Sequence, residues 1–156
     1  MWRDSTGVSA RQGGVTLPEL LVVVSIIALA VTIAIPVISE AVRSARVRTA
    51  TDQFSVSLMA ARMLAVTRQA PVDVTVASHP ANYYEYPDRN GRLKRFDMPK
   101  GVRISASTNP ITFRPDGSVE GGANTTFEAV VGGGSERYEV DVSILGISTV
   151  TKQAER

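Results

Sequence analysis

Residues 20–39 contain no charged side chain, and most of them are Leu, Val, Ile or Ala. A helix over that run rises ~30 Å at 1.5 Å per residue, the thickness of a bilayer's hydrocarbon core. After Glu40 the chain turns polar and charged. The contrast predicts one hydrophobic helix anchoring one water-facing domain, which is as much as 156 residues allow. A carboxylate, Glu19, stands at the leading edge of the run, with Pro18 just before it and Pro36 inside it. A carboxylate deep in a membrane helix costs ~2.5–3.5 kcal/mol on insertion scales, and less near an interface. On the residues alone, Glu19 reads as a group at headgroup depth that favours the positive end of a helix.

Flanking charge sets an orientation. Arg3 and Arg11 precede the run on a short arm, which favours a cytoplasmic N-terminus and an exported C-terminal part. Arg43, Arg46 and Arg48 follow the run and oppose that assignment, but they fall on what reads as a continuing helix. The apolar stretch exceeds the ~7–15 residues of a secretory signal's core and lacks an A-x-A-like site, so an uncleaved anchor fits better than an ordinary signal peptide. The net charge of +2 gives no broad basic field. With no cysteine, disulfides, thiolate metal sites and a cysteine nucleophile are excluded.

The stretch "GGVTLPELLVVVSIIALAVTIAIP" at 13–36 resembles the N-terminal motif of type IV prepilins and type II secretion pseudopilins. The resemblance implies a basic leader, residues 1–14, cut by a prepilin peptidase after Gly14, and N-methylation of the new terminus, Val15. Glu19 becomes the fifth residue of the processed chain, where the family keeps a glutamate, and Pro36 falls where many members have a helix-bending proline. Val15 stands in place of the more usual Phe or Met, and Pro18 in place of Leu or Ile. The resemblance also implies that Glu19 pairs with the terminal amine of an adjacent subunit during assembly. Such an amine ordinarily titrates near ~7.7–8.0 and is cationic at neutral pH. A pair of charges at 4 Å is worth ~4 kcal/mol at an effective dielectric of 20, before desolvation. Its own Glu19, one turn away, competes for the same amine.

The helix pattern continues beyond the apolar run. No Gly or Pro occurs from Val37 to Gln69, and Val47, Ala50, Phe54, Leu58, Ala61 and Ala65 recur at steps of three or four. Arg43, Arg46, Asp52 and Arg62 take other directions. "QAP" at 69–71 is a stop signal. The spacing predicts a helix from about Val15 to Gln69, ~80 Å long, kinked by Pro36, with the Phe54 stripe packed in a core. Beyond Pro71 the period becomes two. "VDVTV", "NYYEY", "RLKRF", "GVRIS", "ITFRP", "TTFEAVV", "RYEVDVSIL" and "GISTVT" read as short strands separated by turns at Asn90-Gly91, 115–117 and 132–134. They predict an antiparallel sheet on the amphipathic helix, an α+β fold.

The segment "ITFRPDGSVEGG…FEAVVGGGSERYEVDVSILGISTV", with "MAARMLAVTRQAPVDVTV" before it, resembles GspH/FimT-type minor pseudopilins and minor pilins. The two resemblances imply a pilin-like fold organised as leader 1–14, transmembrane and assembly helix 15–39, amphipathic continuation 40–70 and β domain 71–156. They imply a non-enzymatic minor pseudopilin of a type II secretion system, with a FimT/FimU-type minor pilin of a type IV pilus as the alternative. The implied partners are the prepilin peptidase, other subunits of the filament and inner-membrane lipid. The implied location is the bacterial inner membrane, single-pass, with the β domain periplasmic. A plain signal-anchored binding protein is the competing class.

Other chemistry finds little support. His79 is the lone histidine and sits in "SHP", a loop pattern, and no H-E-x-x-H, G-x-S-x-G or phosphate-loop motif occurs. Asp88, Asp97 and Asp116 lie near Pro or Gly and read as turn formers rather than as a calcium cage, so neither a metal nor a cofactor is expected. Arg89, Arg92, Lys94, Arg95, Lys100 and Arg103 cluster with Tyr83, Tyr84, Tyr86 and Phe96, a composition that can hold nucleic acid. Alternation in "RLKRF" splits these residues between two faces of a hairpin, and the closing "TKQAER" sets Glu155 against Lys152 and Arg156. Nucleic acid is therefore not expected as a partner.

Overall fold

The computed structural model describes residues 15–131 and 134–153, with the side chains at 33–37, 130, 131 and 134 also outside the description. Helix α1 (Leu17–Arg68) is followed by eight strands: β1 (Val72–Ala77), β2 (Tyr83–Pro87), β3 (Leu93–Asp97), β4 (Val102–Ala106), β5 (Ile111–Phe113), β6 (Ala123–Val131), β7 (Gly134–Val142) and β8 (Ser148–Gln153). The chain divides into two units, Met1–Ile38 and Ser39–Arg156.

In the Ser39–Arg156 unit, the stripe expected on α1 is the core face. Val47, Ala50, Phe54, Leu58, Ala61 and Ala65 are all buried. The helix closes with Gln69 in the left-handed region at φ 52°; the Ala70 amide donates to the Ala65 carbonyl at 3.3 Å, and the Gln69 amide to the Val66 carbonyl at 3.4 Å. This is a Schellman cap, which answers the helix's last carbonyls, and Pro71 then prevents continuation.

The strands form two antiparallel four-stranded sheets, ordered β3-β2-β1-β5 and β4-β6-β7-β8. Alternation in the sequence reveals which residues face inward, but not which strands pair. The antiparallel sheet expected on the helix is present, and pairing divides its strands between two sheets. Inward positions come from both: Val72, Val74 and Val76 of β1, Ile111 and Phe113 of β5, Val102 and Ile104 of β4, Phe127 of β6 and Val140 of β7. Phe54 joins them. Its ring meets Tyr84 of the first sheet edge-on at 4.9 Å and Phe127 of the second at 5.2 Å between centroids. Such aromatic contacts add ~0.5–1.5 kcal/mol beyond buried area.

Two side-chain amides stand in for missing strand partners. Asn109, just before β5, accepts from the Val76 amide at 2.9 Å and donates to the Val76 carbonyl at 2.8 Å. Asn82, at φ 59°, accepts from the Ile104 amide at 3.0 Å and donates to the Val102 carbonyl at 2.7 Å. Asn82 lies between β1 and β2, so it ties the first sheet to β4 of the second. Both satisfy backbone groups that would otherwise lie unpaired beside the core.

Candidate assembly segment and its support

Val15 and Thr16 precede α1, and Glu19 lies in its first turn. The Leu20 amide donates to the Thr16 carbonyl at 3.1 Å, which starts the helical ladder. Thr16 and Glu19 have the T-x-x-E spacing of a capping box, a helix-start signal present in the sequence itself. Pro18 falls in the first turn, where its missing N–H breaks no helical bond. The helix N-terminus is partly positive, so the exposed Glu19 carboxylate is favoured there by ~0.3–1 kcal/mol. Gly14 lies outside the described residues. Pro36 lies within the span of α1, with its side chain outside the description.

Every described residue from 15 to 32 is exposed. Val15 is 70% accessible, Leu21 60% and Ile26 62%, although these are the side chains most favoured inside a protein. Beyond Glu19, the two polar side chains from 20 to 32 turn inward to their own helix: Ser25 Oγ donates to the Leu21 carbonyl at 2.8 Å and Thr32 Oγ1 to the Ala28 carbonyl at 2.8 Å. The segment thus presents hydrocarbon all round and makes little demand on water. Among the described residues, no helix is long and apolar enough to cross a membrane. The span expected over 20–39 is interrupted in the description, because side chains run to Thr32 and resume at Ile38.

At the far end of α1, the two glycine turns of the C-terminal pattern meet. Gly117 and Gly146 adopt φ values of 79° and 72°, and a Cβ on Gly146 would lie 2.1 Å from the Gly117 carbonyl oxygen. Arg62 Nε donates to that same oxygen at 3.0 Å. Arg62 lies off the apolar stripe of α1, yet it is half-buried and ties the Gly117 turn to the helix, with the Gly146 turn packed against it. Only the three-dimensional approach of the turns reveals this role.

The remaining candidates are dispersed. His79 is exposed between β1 and β2. Asp88 accepts from the Asn90 and Arg92 amides at 2.7 and 3.0 Å, and Asp116 accepts from the Ser118 amide and hydroxyl at 2.9 and 2.6 Å, so both hold turns. The Ser118 bonds hold the Asp116 carboxyl below its ordinary range. Asp97 is a correction: it ends β3 and pairs with Arg95 at 2.7 Å, a contact between alternate residues of an exposed strand rather than a turn. The cation cluster is split as alternation required. Lys94 lies over the Phe96 ring at 4.9 Å, Arg95 over Tyr83 at 3.6 Å, and Arg103 is in β4 of the other sheet. Phe96 stacks between Tyr84 and Tyr86, with centroids 5.0 and 5.9 Å away. Lys152 pairs with Glu136 at 2.5 Å, and this hydrogen bond holds the Glu136 carboxyl below its ordinary range. Glu136 of β7 thus meets the Lys152 charge, and Glu155 and Arg156 lie outside the described residues.

One long helix followed by two antiparallel four-stranded sheets makes the chain an α+β protein. The family described as "Type II transport protein GspH" matches residues 50–146, and the chain belongs to it. The "Prokaryotic N-terminal methylation motif" matches residues 9–35, which implies processing by a prepilin peptidase and membership of a filament. The protein is thus a minor pseudopilin or minor pilin of a type II or type IV pilus-like system, a family of structural subunits. No curated protein sequence matches the chain. Similar solved structures are two crystal forms of the Pseudomonas aeruginosa PAO1 type IV minor pilin FimU. The P21 form is 14% identical, covers 69% of this chain and 88% of its own, and has a TM-score of 0.48. The P65 form is 13% identical, covers 69% and 92%, and has a TM-score of 0.47.

Proposed function

We propose that the chain is a GspH-type minor pseudopilin of a type II secretion system. Prepilin peptidase cuts after Gly14, Val15 becomes the methylated N-terminus, and the apolar half of α1 sits in the inner membrane with the N-terminus cytoplasmic and the β domain periplasmic. Glu19 pairs with the terminal amine of a neighbouring subunit as the chain is drawn into the pseudopilus, and Pro36 bends the helix at the membrane exit. The observation that carries this reading is the exposed apolar helix from 17 to 32 with its one carboxylate in the first turn. Exposed apolar surface costs ~25 cal/mol per Å² against burial, so the segment needs lipid or neighbouring helices around it. The GspH match favours the secretion system over a type IV pilus.

Co-expression with a prepilin peptidase tests the processing step by intact mass. The expected product lacks residues 1–14 and carries one methyl group on Val15, and Gly14→Val blocks the cut. Persistence of Met1 under these conditions would sink the reading. Assembly is tested separately: Glu19→Ala and Glu19→Gln retain cleavage and insertion but reduce cross-linking to the major subunit. An anchor that never polymerises gives the opposite sign, because losing the carboxylate eases residence in lipid.

A further inference from the structure

A groove of about 630 Å³ opens between the last turns of α1 and the β2–β3 hairpin, wholly within the Ser39–Arg156 unit. That volume lies within the ~300–1,000 Å³ range of ligand-binding clefts. Ala60, Met63 and Leu64 of the helix and Tyr86 and Pro87 of β2 give it an apolar lining, and Met63 is 65% exposed. Its rim is cationic: Arg68, Arg89 and Lys94 against the single carboxylate of Asp88. The Asp88 carboxylate is already engaged by the amides of its own turn. Among the described residues, no ion pair engages Arg68, Arg89 or Lys94. The rim is held in place, since Arg68 Nη2 donates to the Asp88 carbonyl at 2.8 Å and also to the Arg89 carbonyl.

We propose that this groove is a docking site for an acidic, apolar polypeptide segment, which seats aliphatic side chains on Met63, Leu64 and Tyr86 and sets its carboxylates against Arg89, Lys94 and Arg68. The charge excess selects the partner's sign, and the aliphatic floor selects its body. A nucleic acid strand fits less well. It needs a run of cations along its backbone and open aromatic faces for its bases. Here Tyr84, Phe96 and Tyr86 are stacked on one another. The chemistry of the groove does not depend on which filament the chain joins, or on whether it joins one.

The test uses the full chain in nanodiscs of zwitterionic lipid, which carry no net charge to attract either an acidic or a basic probe. The probe is a fluorophore-labelled peptide with a Leu-Leu pair flanked by Asp residues, and the readout is anisotropy. Saturable binding that weakens with added salt is expected. Arg89→Glu with Lys94→Glu, and separately Met63→Glu, should each weaken it by about tenfold, some 1.4 kcal/mol. The same peptide with Lys for Asp should bind the doubly reversed variant better than the native chain. All three positions are exposed, so thermal unfolding followed by circular dichroism should be unchanged. The proposal is overturned by any of three results: no binding to the native chain, equal binding of an all-Asp peptide without the Leu pair, or unaltered binding by the variants. Tighter binding of a labelled oligothymidylate, lost in the doubly reversed variant, would reassign the groove to nucleic acid and likewise overturn it.

Discussion

The two halves of α1 are both rich in aliphatic residues, yet they solve opposite problems. In the first half, apolar side chains follow one another around the helix, and the described ones are all exposed. In the second half they are rationed to one stripe, and that stripe is buried to a few per cent or less under two sheets. An all-round apolar helix cannot choose a face, so it needs a surrounding medium; a striped one chooses a face and makes a core. The same residue type therefore has different consequences by position. A valine at 24 is fitted to what surrounds the molecule, and a valine at 47 to what lies inside it.

Substitutions can break this comparison. The largest effect is expected at Phe54, which is 0% accessible and touches both sheets. Phe54→Ala should destabilise the Ser39–Arg156 unit by ~3–5 kcal/mol in denaturant unfolding followed by circular dichroism. A near-silent result would mean the stripe is not the core. Gly146→Ala comes next. A methyl group 2.1 Å from the Gly117 oxygen, at a φ of 72°, must push the two turns apart. A loss of ~1–3 kcal/mol is expected, with weakened hydrogen-exchange protection around Gly117. Arg62→Met keeps much of the stem and removes the donor to that carbonyl; a loss of ~1 kcal/mol is expected in the same unfolding assay.

A pH titration sharpens the comparison further. Burial pushes the Tyr84 hydroxyl up from 10.0 to about 12, against a smaller lowering by Ser57, whose Oγ lies 3.0 Å away. Ser57 Oγ also donates to the Gln53 carbonyl at 2.9 Å. The native state thus holds the Tyr84 proton more tightly than the unfolded chain does. Its contribution is complete below pH 10.0 and is lost as pH rises through about 12. The unfolding midpoint should fall across that window, and Tyr84→Phe should remove this part of the fall. The smallest effect belongs to the first half: Val24→Ala should shift the same unfolding midpoint by less than ~0.5 kcal/mol. A large shift there would show that the β-bearing unit draws on the N-terminal half for stability.

Much of the fold was legible because periodicity is a local property. The core stripe on α1, the stop before Pro71, the strands and the turn roles of Asp88 and Asp116 follow from spacing and from what Pro, Gly and Asp do to a backbone. Gly14, Val15, Glu19 and Pro36 stand out through resemblance to a motif that is written in one continuous stretch of sequence, 13–36. Asp97 was misread because a neighbouring proline also suits the end of a strand. Its pairing with Arg95 needed the strand to be in place.

By itself the sequence determined where hydrocarbon must be all-round and where it must be one-sided, because the order of side chains along a helix is the order around it. Tertiary structure alone decided that the strands divide into two sheets, that Asn82 and Asn109 complete their edges, and that Arg62 locks Gly117 against Gly146. Each of these joins groups far apart in the chain. Hydrogen-bond donors and acceptors, unlike hydrophobic periodicity, carry no mark of the partner they will meet until packing brings it within 3 Å.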